Sequence, residues 1–292
     1  MKVSVITSAY NRRDDLDICV DSILKSDYLD YELIVVDNAS TDGTSEYLEK
    51  KYAKKIKLIT LEENRLSAGG KNAGIEYASG DYLWFVDSDM IVPSSLMRRL
   101  VEVLDKNERI AEVGASIYYY SNPNRLWSVG ATINLWTSMC RNIKLNNEKM
   151  QDVDVILCGY MIRSSVIHEV GLYDETIKFV YEESDLSYKI KKLGYQIKVI
   201  NDNKIFHNIE EPENATNPLR GYNLETEDRA FLLARNRFVF MNRYANKFQN
   251  RVFRIIFAPL FRIYYVYLAS HFGYKNIANA YKRGYREGKA EK

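Results

Sequence analysis

The chain has 292 residues, 46% of them hydrophobic and 27% charged, which is the composition of a globular protein long enough to bury a large core. Its three cysteines are odd in number and far apart, which excludes a disulfide framework and a cysteine-spaced metal site and favours a reducing, cytoplasmic compartment. The net charge of +2 combines an acidic body with a basic tail, since 14 basic and 2 acidic residues lie from Arg229 onward, and such a tail favours contact with an anionic surface.

The first 120 residues alternate between strand-like and helix-like segments. Short runs of β-branched, aromatic and other apolar residues predict strands over 3–8, 31–36, 56–60, 82–86 and 111–117. Apolar residues at helical spacing predict helices over 14–25, 44–52, 68–78 and 96–104. This alternation predicts a parallel sheet with helices on both faces. No basic and apolar leader precedes the first strand, so we expect no signal peptide.

The pattern becomes less regular after residue 118. It predicts short strands and loops over 118–160, helices over 164–170 and 182–193, strands over 195–200 and over 204–206 before His207, and a loop over 208–225. The remaining segment is helical and basic. We therefore expect one α/β domain over 1–225, divided into halves of 1–120 and 121–225, and a C-terminal amphipathic helical segment over 226–292.

Two carboxylates one residue apart, Asp87 and Asp89, follow the apolar strand predicted over 82–86. In open α/β sheets the carboxyl ends of the strands are where ligands bind. Because the two carboxylates repel each other, a cation is their natural partner, and oxygen ligands favour Mg²⁺ or Mn²⁺ carrying substrate phosphates. Alternatively, the pair caps the helix that begins near Pro93.

A further acid, Asp37, ends the second predicted strand and precedes a run of turn-forming residues. At this strand tip an acid can accept hydrogen bonds from a nucleoside. The alternative is a tight turn with a helix cap. Because Asp42 and Thr44 can cap the helix without Asp37, we favour ligand contact.

Small residues begin the third predicted helix, at Ala68-Gly69-Gly70. They allow close approach of the backbone to a phosphate or nucleoside, although the segment matches neither a P-loop nor the dinucleotide fingerprint. Gly74 has the alternative role of permitting close helix packing.

In this order, these segments resemble a family 2 glycosyltransferase of the rhamnosyltransferase-like subgroup. The resemblance covers about residues 1–210. The matching segments are Val3-Ser4-Val5-Ile6-Thr7, Tyr10-Asn11-Arg12, Val35-Val36-Asp37-Asn38-Ala39-Ser40-Thr41-Asp42-Gly43-Thr44, Ala68-Gly69-Gly70-Lys71-Asn72, Asp87-Ser88-Asp89, Cys158-Gly159-Tyr160-Met161-Ile162-Arg163, Gly171-Leu172-Tyr173-Asp174-Glu175 and Tyr181-Glu182-Glu183-Ser184-Asp185-Leu186. It implies the GT-A fold, a Rossmann-like nucleotide-binding sheet with an acceptor-binding half, here followed by the helical basic tail.

The resemblance also implies site residues. The nucleotide-binding residues are Thr7, Ala9, Asn11, Asp37, Ala68, Lys71, Asp87 and Ser88. The ligands of a Mg²⁺ or Mn²⁺ ion are Asp87, Asp89 and His207. The acceptor-binding residues are Gly159, Tyr160 and Glu182, and Tyr160 replaces a smaller residue, which predicts a narrower acceptor side.

The catalytic base is implied to be Glu183, with Asp185 second. Relatives usually carry Asp at the position of Glu183, so the side chain is longer here. The alternative is that acids at this helix start only interact with the helix dipole, which accounts for Glu182.

The implied reaction is inverting sugar transfer from a UDP-, dTDP- or GDP-linked donor to a saccharide or lipid-linked acceptor. One alternative is a polyprenyl-phosphate sugar synthase, which the long irregular segment 118–160 disfavours. Another is a non-catalytic nucleotide-sugar-binding membrane adaptor, which the presence of Asp87, Asp89 and Glu183 disfavours. The basic tail raises nucleic-acid binding, but no recognition motif accompanies it, and we expect none.

The tail carries a basic and aromatic segment over 251–272, interrupted by Arg254, Pro259 and Arg262. Its uninterrupted apolar runs are shorter than the roughly 20 residues of a spanning helix. Basic and aromatic residues together suit the membrane interface, so we expect a cytoplasmic protein, peripheral on the inner face of the cell membrane. The alternative is a helix packed on its own domain or on a second subunit.

Overall fold

A computed structural model describes residues 1–214 and 216–291. Ala215, in the predicted loop 208–225, and Lys292, the last residue of the predicted tail, lie outside the described residues. The strands are β1 (Val3–Ala9), β2 (Tyr31–Asp37), β3 (Lys57–Thr60), β4 (Tyr82–Phe85), β5 (Met90–Ile91), β6 (Ile110–Tyr119), β7 (Leu126–Ser128), β8 (Ala131–Ile133), β9 (Cys140–Asn142), β10 (Met150–Asp152), β11 (Tyr160–Arg163) and β12 (Gln196–His207). The α-helices are α1 (Arg13–Ile23), α2 (Thr44–Tyr52), α3 (Leu66–Ile75), α4 (Leu96–Lys106), α5 (Ser164–Glu169), α6 (Glu182–Lys192), α7 (Glu227–Tyr244), α8 (Lys247–Val252), α9 (Ala258–His271) and α10 (Lys275–Ala290).

The main sheet has the strand order β10-β12-β6-β11-β4-β1-β2-β3. Strands β4, β1, β2 and β3 are parallel neighbours, as the β-α-β-α alternation predicts. Strand β11 pairs antiparallel with both β4 and β6, so the whole sheet is mixed rather than parallel. The sequence pattern did not indicate β11 because four buried residues are too short to show a periodicity.

Strand β12 joins the two predicted strands over 195–200 and 204–206 into one strand that ends at His207. A register shift between Ile200 and Lys204 interrupts its parallel pairing with β6. Beyond this shift, its last two residues also pair antiparallel with β5. Because of this irregularity, the period-2 pattern does not show one continuous strand. The irregularity allows β12 to reach the edge of the sheet where β4 ends.

Helices α7 and α10 pack on the body of the protein. Buried residues of both helices form one hydrophobic cluster with residues between 131 and 224, such as Ile177 and Tyr181. A Cβ atom built on Gly284 would lie 2.0 Å from the backbone oxygen of Phe231, so glycine is required for the backbones of α10 and α7 to meet. These two helices therefore follow the packed alternative for the tail.

The segment Lys247–His271 is one continuous helical stretch of 25 residues. A π-helical turn over Phe253–Phe257 directly precedes Pro259, whose missing N–H removes one i to i−4 hydrogen bond. By length and composition alone this helix could cross a membrane, since an 18-residue part of it has a mean hydropathy of 1.5. Arg254 and Arg262 still interrupt its apolar runs, as expected. Large apolar side chains lie exposed along it, including Ile255 at 64%, Ile263 at 62% and Tyr267 at 66%.

Candidate active site

The two acids after β4 lie beside His207 because of strand pairing. Met90 directly follows Asp89 and pairs with His207 across the β5–β12 ladder. This register places Nε2 of His207 3.2 Å from Oδ1 of Asp89. The predicted neighbourhood of Asp87, Asp89 and His207 is therefore present, and the end of β12 is the element that creates it.

Arg12 supplies a positive charge on the other side of Asp89. Its Nη1 donates to Oδ2 of Asp89 at 2.9 Å. Burial raises the pKa of Asp89, but the hydrogen bond and charge of His207 and the charge of Arg12 outweigh burial and lower it. For Asp87, burial raises the pKa to about 6, with Asp89 and Glu183 adding to the effect and Lys71 opposing it.

The side-chain oxygen and nitrogen atoms of Asp87, Asp89 and His207 are of the chemical types that bind a divalent cation. Two carboxylates and an imidazole are ligands that Mn²⁺ accepts, and Nδ1 of His207 is buried without a hydrogen-bond partner. Within residues 1–214 and 216–291, however, no group of three or more His, Cys, Asp and Glu side chains is already arranged to hold a metal ion. Arg12 covers one oxygen of Asp89 in this arrangement, so an ion would compete with its guanidinium.

Glu183 forms an ion pair with Lys71, which joins the start of α6 to α3. The Lys71 ammonium is buried and lies over the rings of Tyr160 and Tyr173, at 5.9 and 5.4 Å from their centroids. Burial lowers the pKa of Lys71, but the charges of Glu183 and Asp87 outweigh burial and raise it well above its usual value. Lys71 is therefore a fixed cation between the strand-end acids and Glu183.

Two further carboxyl groups near this cation are buried. Burial, followed by the charge of Glu183, raises the pKa of Glu182 to about 8. Burial also raises the pKa of Glu112, on β6, to about 8, although a hydrogen bond from Ser187 opposes the shift. Both groups are therefore mainly protonated at neutral pH, and Glu183 is the carboxylate that pairs with Lys71.

Asp37 takes part in the turn that follows β2. Its Oδ1 accepts the backbone N–H of Ser40 at 2.9 Å, and its Oδ2 accepts the hydroxyl of Ser45. The interpretation that Asp37 is not needed for the turn is therefore wrong. Asp42 caps α2 as expected, since it accepts the hydroxyl and amide of Thr44. Each oxygen of Asp37 retains a second lone pair, so contact with a nucleoside stays a prediction.

The strands place Asp37 and Asp87 at one edge of the sheet. Strand β1 lies between β2 and β4, and Ala9 pairs with Asp37. Two strand spacings, about 10 Å, therefore separate the ends of β2 and β4. Asn11 connects the loops after β1 and β2, since its Oδ1 accepts the amide of Thr41 at 2.7 Å.

Several predicted nucleotide-contact residues are buried. Thr7, Ala9, Ala68 and Ser88 have little exposed surface, and the amide of Ala68 donates to the backbone oxygen of Lys178 at 2.9 Å. The amide of Ala68 is therefore already paired within the protein, and its contact with a nucleotide stays a prediction.

The glycines of α3 permit close packing of the helix on β1. A Cβ atom on Gly70 would lie 2.4 Å from the hydroxyl oxygen of Ser8, and one on Gly74 would lie 2.4 Å from a methyl carbon of Ile6. The packing alternative stated for Gly74 is therefore present, and Gly70 shares this role. Close packing on β1 also brings Lys71 near the strand ends.

Asp185 faces the C-terminal helices. Its Oδ1 accepts from Arg243 at 2.9 Å and from the hydroxyl of Tyr244 at 2.7 Å, and Lys189 lies 3.1 Å from its Oδ2. Asp185 is 1% exposed. These contacts attach α6 to α7, and we do not retain Asp185 as a catalytic base.

Gly159 and Tyr160 are structural residues. Gly159 has a φ of +68°, and a Cβ atom there would lie 3.0 Å from Ile205 and 3.2 Å from Met90. Tyr160 is buried, and its hydroxyl forms a hydrogen bond with that of Tyr173. The ring of Tyr160 lies under Lys71, and its effect on the width of the acceptor side stays a prediction.

The sequence profile described as Glycosyl transferase family 2 matches residues 4–171, which is more than half of the chain. The chain belongs to glycosyl transferase family 2. This confirms the family expected from the order of the motifs, while the rhamnosyltransferase-like subgroup stays a prediction.

Curated relatives of this family 2 chain match it over part of their length. It is 43% identical over 89 residues to the putative teichuronic acid biosynthesis glycosyltransferase TuaG of Bacillus subtilis, covering 30% of this chain and 35% of TuaG. It is 33% identical over 105 residues to the Escherichia coli UDP-Glc:alpha-D-GlcNAc-diphosphoundecaprenol beta-1,3-glucosyltransferase WfgD, covering 36% of this chain and 42% of WfgD. The match thus spans less than half of the length of each.

Solved structures confirm the GT-A fold of this family 2 chain. The crystal structure of S. aureus TarS 1-349 in complex with UDP superposes with a TM-score of 0.54 at 20% identity, covering 93% of this chain and 72% of that one. The structure of GalNAc-T7 with UDP, GalNAc and Mn²⁺ gives a TM-score of 0.63 at 18% identity, covering 92% of this chain and 58% of that one. At this identity the likeness concerns the fold alone.

Three residues near the site of this family 2 chain were not predicted to be there. Glu112 is a lone charge in an apolar strand, which is itself a signal of a buried functional or paired group. Arg12 stood within a matched motif but had no assigned role, and its contact with Asp89 depends on the loop after β1. Tyr173 also stood in a matched motif, and only the fold shows that its ring lies under Lys71.

The raised pKa of Glu112 predicts a pH-dependent stability. A carboxyl group whose pKa rises from 4.5 to about 8 on folding contributes stability at low pH that is lost as the pH rises through that window. Glu112→Gln removes this ionisation cost and keeps an oxygen for Ser187. We expect its melting temperature to exceed that of the wild type by about 2–6 °C at pH 8.5 and to match it near pH 4.5, measured by calorimetry.

The matched control is Glu169→Gln, because Glu169 is exposed on α5. It is expected to leave the melting temperature unchanged at both pH values. An equal offset for Glu112→Gln at pH 4.5 and pH 8.5 would show that packing, and not ionisation, causes the difference.

Proposed function

We propose that this protein is an inverting glycosyltransferase that moves a sugar from a nucleotide-sugar donor to a saccharide or lipid-linked saccharide acceptor, with Glu183 as the catalytic base. One observation carries the proposal. In this family 2 chain, Glu183 forms an ion pair with buried Lys71, and its charge acts on Asp87 at the end of β4.

Inversion in a single displacement requires a base on the acceptor hydroxyl. Glu183 removes that proton while the acceptor oxygen attacks the anomeric carbon and the bond from this carbon to the donor diphosphate breaks. Lys71 fixes the position of the Glu183 carboxylate through its ion pair. The side chain of Glu183 is 14% exposed, so it reaches the surface of the site while the neighbouring Glu182 stays buried.

The donor side uses the ends of β1, β2 and β4. Asp37 binds the nucleoside, and the Asn11 loop lies beside it. Asp87, Asp89 and His207 would hold Mg²⁺ or Mn²⁺. When bound, such an ion offsets the negative charge that develops on the departing diphosphate. Among UDP-, dTDP- and GDP-linked donors, the UDP in the two structures of similar fold supports testing UDP-sugars first.

We further propose that the protein is cytoplasmic and lies on the inner face of the cell membrane through α8 and α9. The stretch Lys247–His271 has four basic residues and no acidic one, next to its exposed apolar side chains. An anionic membrane surface is complementary to both features. The opposite face of the helix is packed, since Phe253, Ala258 and Ala269 are buried, which favours a position along the surface over a spanning one. A lipid-linked acceptor, as in the name of WfgD, is consistent with this location.

Glu183→Gln tests the base. We expect release of UDP from UDP-sugars to fall by about 10²–10⁴-fold, because general base catalysis contributes that much. Binding of UDP, measured by calorimetry, should stay unchanged, because Gln keeps an oxygen for Lys71. The control Glu169→Gln should retain full turnover. Turnover by Glu183→Gln at the wild-type rate would exclude this base.

Removal of the ion tests metal assistance. A screen of UDP-, dTDP- and GDP-sugars with Mn²⁺ should identify a donor whose cleavage stops with EDTA. Asp89→Ala should weaken Mn²⁺-dependent UDP binding by at least about tenfold, since even indirect supports of metal sites cost this much. The control Asp152→Ala removes an exposed acid at the far edge of the sheet. Cleavage that persists in EDTA would contradict the metal proposal.

Replacing exposed apolar residues of the stretch Lys247–His271 with serine tests the proposed contact with the membrane surface. A variant with Ile255→Ser, Ile263→Ser and Tyr267→Ser should lose flotation with vesicles of phosphatidylglycerol and phosphatidylcholine, which the wild type should show. The control carries Leu29→Ser, Tyr77→Ser and Leu193→Ser, three exposed apolar residues outside the tail. Equal flotation of both variants, or no flotation of the wild type, would contradict the proposal.

A further inference from the structure

The loop before α6 has an unusual backbone. Residues 177–181, here called the base loop, directly precede Glu182 and Glu183. Three of its residues have positive φ, at 65° for Lys178, 60° for Val180 and 81° for Tyr181. Such angles are uncommon for residues other than glycine and are an outlier for a β-branched residue such as Val180. A strained loop of this kind persists only where its surroundings hold it in place.

Asn236 of α7 supplies that restraint. Its Nδ2 donates to three backbone oxygens of the base loop, those of Ile177 at 2.9 Å, Phe179 at 2.9 Å and Val180 at 2.7 Å. The side chain of Asn236 is fully buried. Its own oxygen accepts from Nη1 of Arg235 at 3.2 Å, which orients the amide with its nitrogen toward the loop. The buried amide nitrogen of Asn236 is thus a hydrogen-bond donor that lies within reach of three acceptors, the carbonyl oxygens of the base loop.

The base loop joins both partners of the ion pair at the site. On one side, the backbone oxygen of Tyr181 accepts the amide of Asp185 at 2.8 Å, which forms the first turn of α6. On the other side, the oxygen of Lys178 accepts the amide of Ala68 at 2.9 Å, at the start of α3. A shift of this loop would therefore move Glu183 on α6 relative to Lys71 on α3.

We propose that Asn236 is a positioning residue for Glu183. It holds the base loop in its strained form, and the loop sets where the Glu183 carboxylate lies with respect to Lys71 and the acceptor hydroxyl. The catalytic part of this inference rests on the proposed function. The restraint of the base loop by Asn236 does not rest on the proposed function, and it can be measured separately by hydrogen exchange.

Asn236→Asp is the main test, because Asp has the same shape but presents an acceptor to the three carbonyl oxygens. Hydrogen exchange of the full chain should become faster in a peptide covering residues 177–186 and stay unchanged in β1 and β4. Turnover of the UDP-sugar found by the donor screen should fall by about 10–100-fold, since small misplacements of catalytic groups cost this much. UDP binding should not change. If Asn236→Asp does not fold, Asn236→Ser, which keeps one donor, replaces it in the test. We expect the same changes in hydrogen exchange and turnover for Asn236→Ser.

Asn201→Asp is the matched control. Nδ2 of Asn201 also donates to three oxygens, of Asn146, Glu148 and Gln151, but at the far edge of the sheet on β12. Its replacement should accelerate exchange around residues 146–151 and leave turnover at the wild-type level. This control separates the loss of an amide that contacts three oxygens in a loop region from an effect on the base loop.

A double-mutant cycle with Glu183→Gln separates positioning from stability. If Asn236 acts through Glu183, Asn236→Asp should reduce the residual turnover of Glu183→Gln by less than about twofold. An equal loss in both backgrounds would overturn the positioning role, as would unchanged exchange over residues 177–186. If the wild type cleaves no nucleotide sugar, the proposed function fails, and the exchange measurement still decides whether Asn236 restrains the loop.

Discussion

The charge balance around one buried ammonium is the constraint on which the site depends. Lys71 lies inside the protein, where an isolated cation would cost several kcal/mol. Glu183 supplies the paired charge, and the rings of Tyr160 and Tyr173 lie beneath the ammonium. More carboxyl groups surround Lys71 than one cation can balance, and burial keeps Glu112 and Glu182 protonated. Glu183, with 14% of its side chain exposed, is therefore the carboxylate that balances the charge of Lys71.

Strand topology brings the acids to this cation. Parallel strands β4, β1 and β2 end at one edge, which places the strand-end acids in a row. The antiparallel strand β11 separates β4 from β6 and carries Tyr160 under the site. Strand β12 extends to the same edge of the sheet and places His207 there. The strand-end acids and His207 thus lie at the ends of strands of one sheet.

Local patterns predicted the α/β alternation, because buried strands and amphipathic helices near the N-terminus have clear periodicity. They also brought Asp87, Asp89, His207 and Glu183 forward as candidates, since the motif order carried the family resemblance. The packing of Asp185, Tyr160 and Gly159 inside the protein was not predicted, because a motif gives the residue type but not the direction of the side chain. Contacts distant in sequence, such as Lys71 with Glu183 and Arg12 with Asp89, have no local signature at all.

The contact between Gly284 and Phe231 has a consequence for biosynthesis. Helix α7 carries Asn236 and Arg243, which hold the start of α6, but α7 is covered only when α10 packs against it. During translation β1 to β4 are therefore synthesised well before α10. A nascent chain stalled before residue 275 would contain α7 without the helix that packs against it, and the start of α6 would lack its complete support.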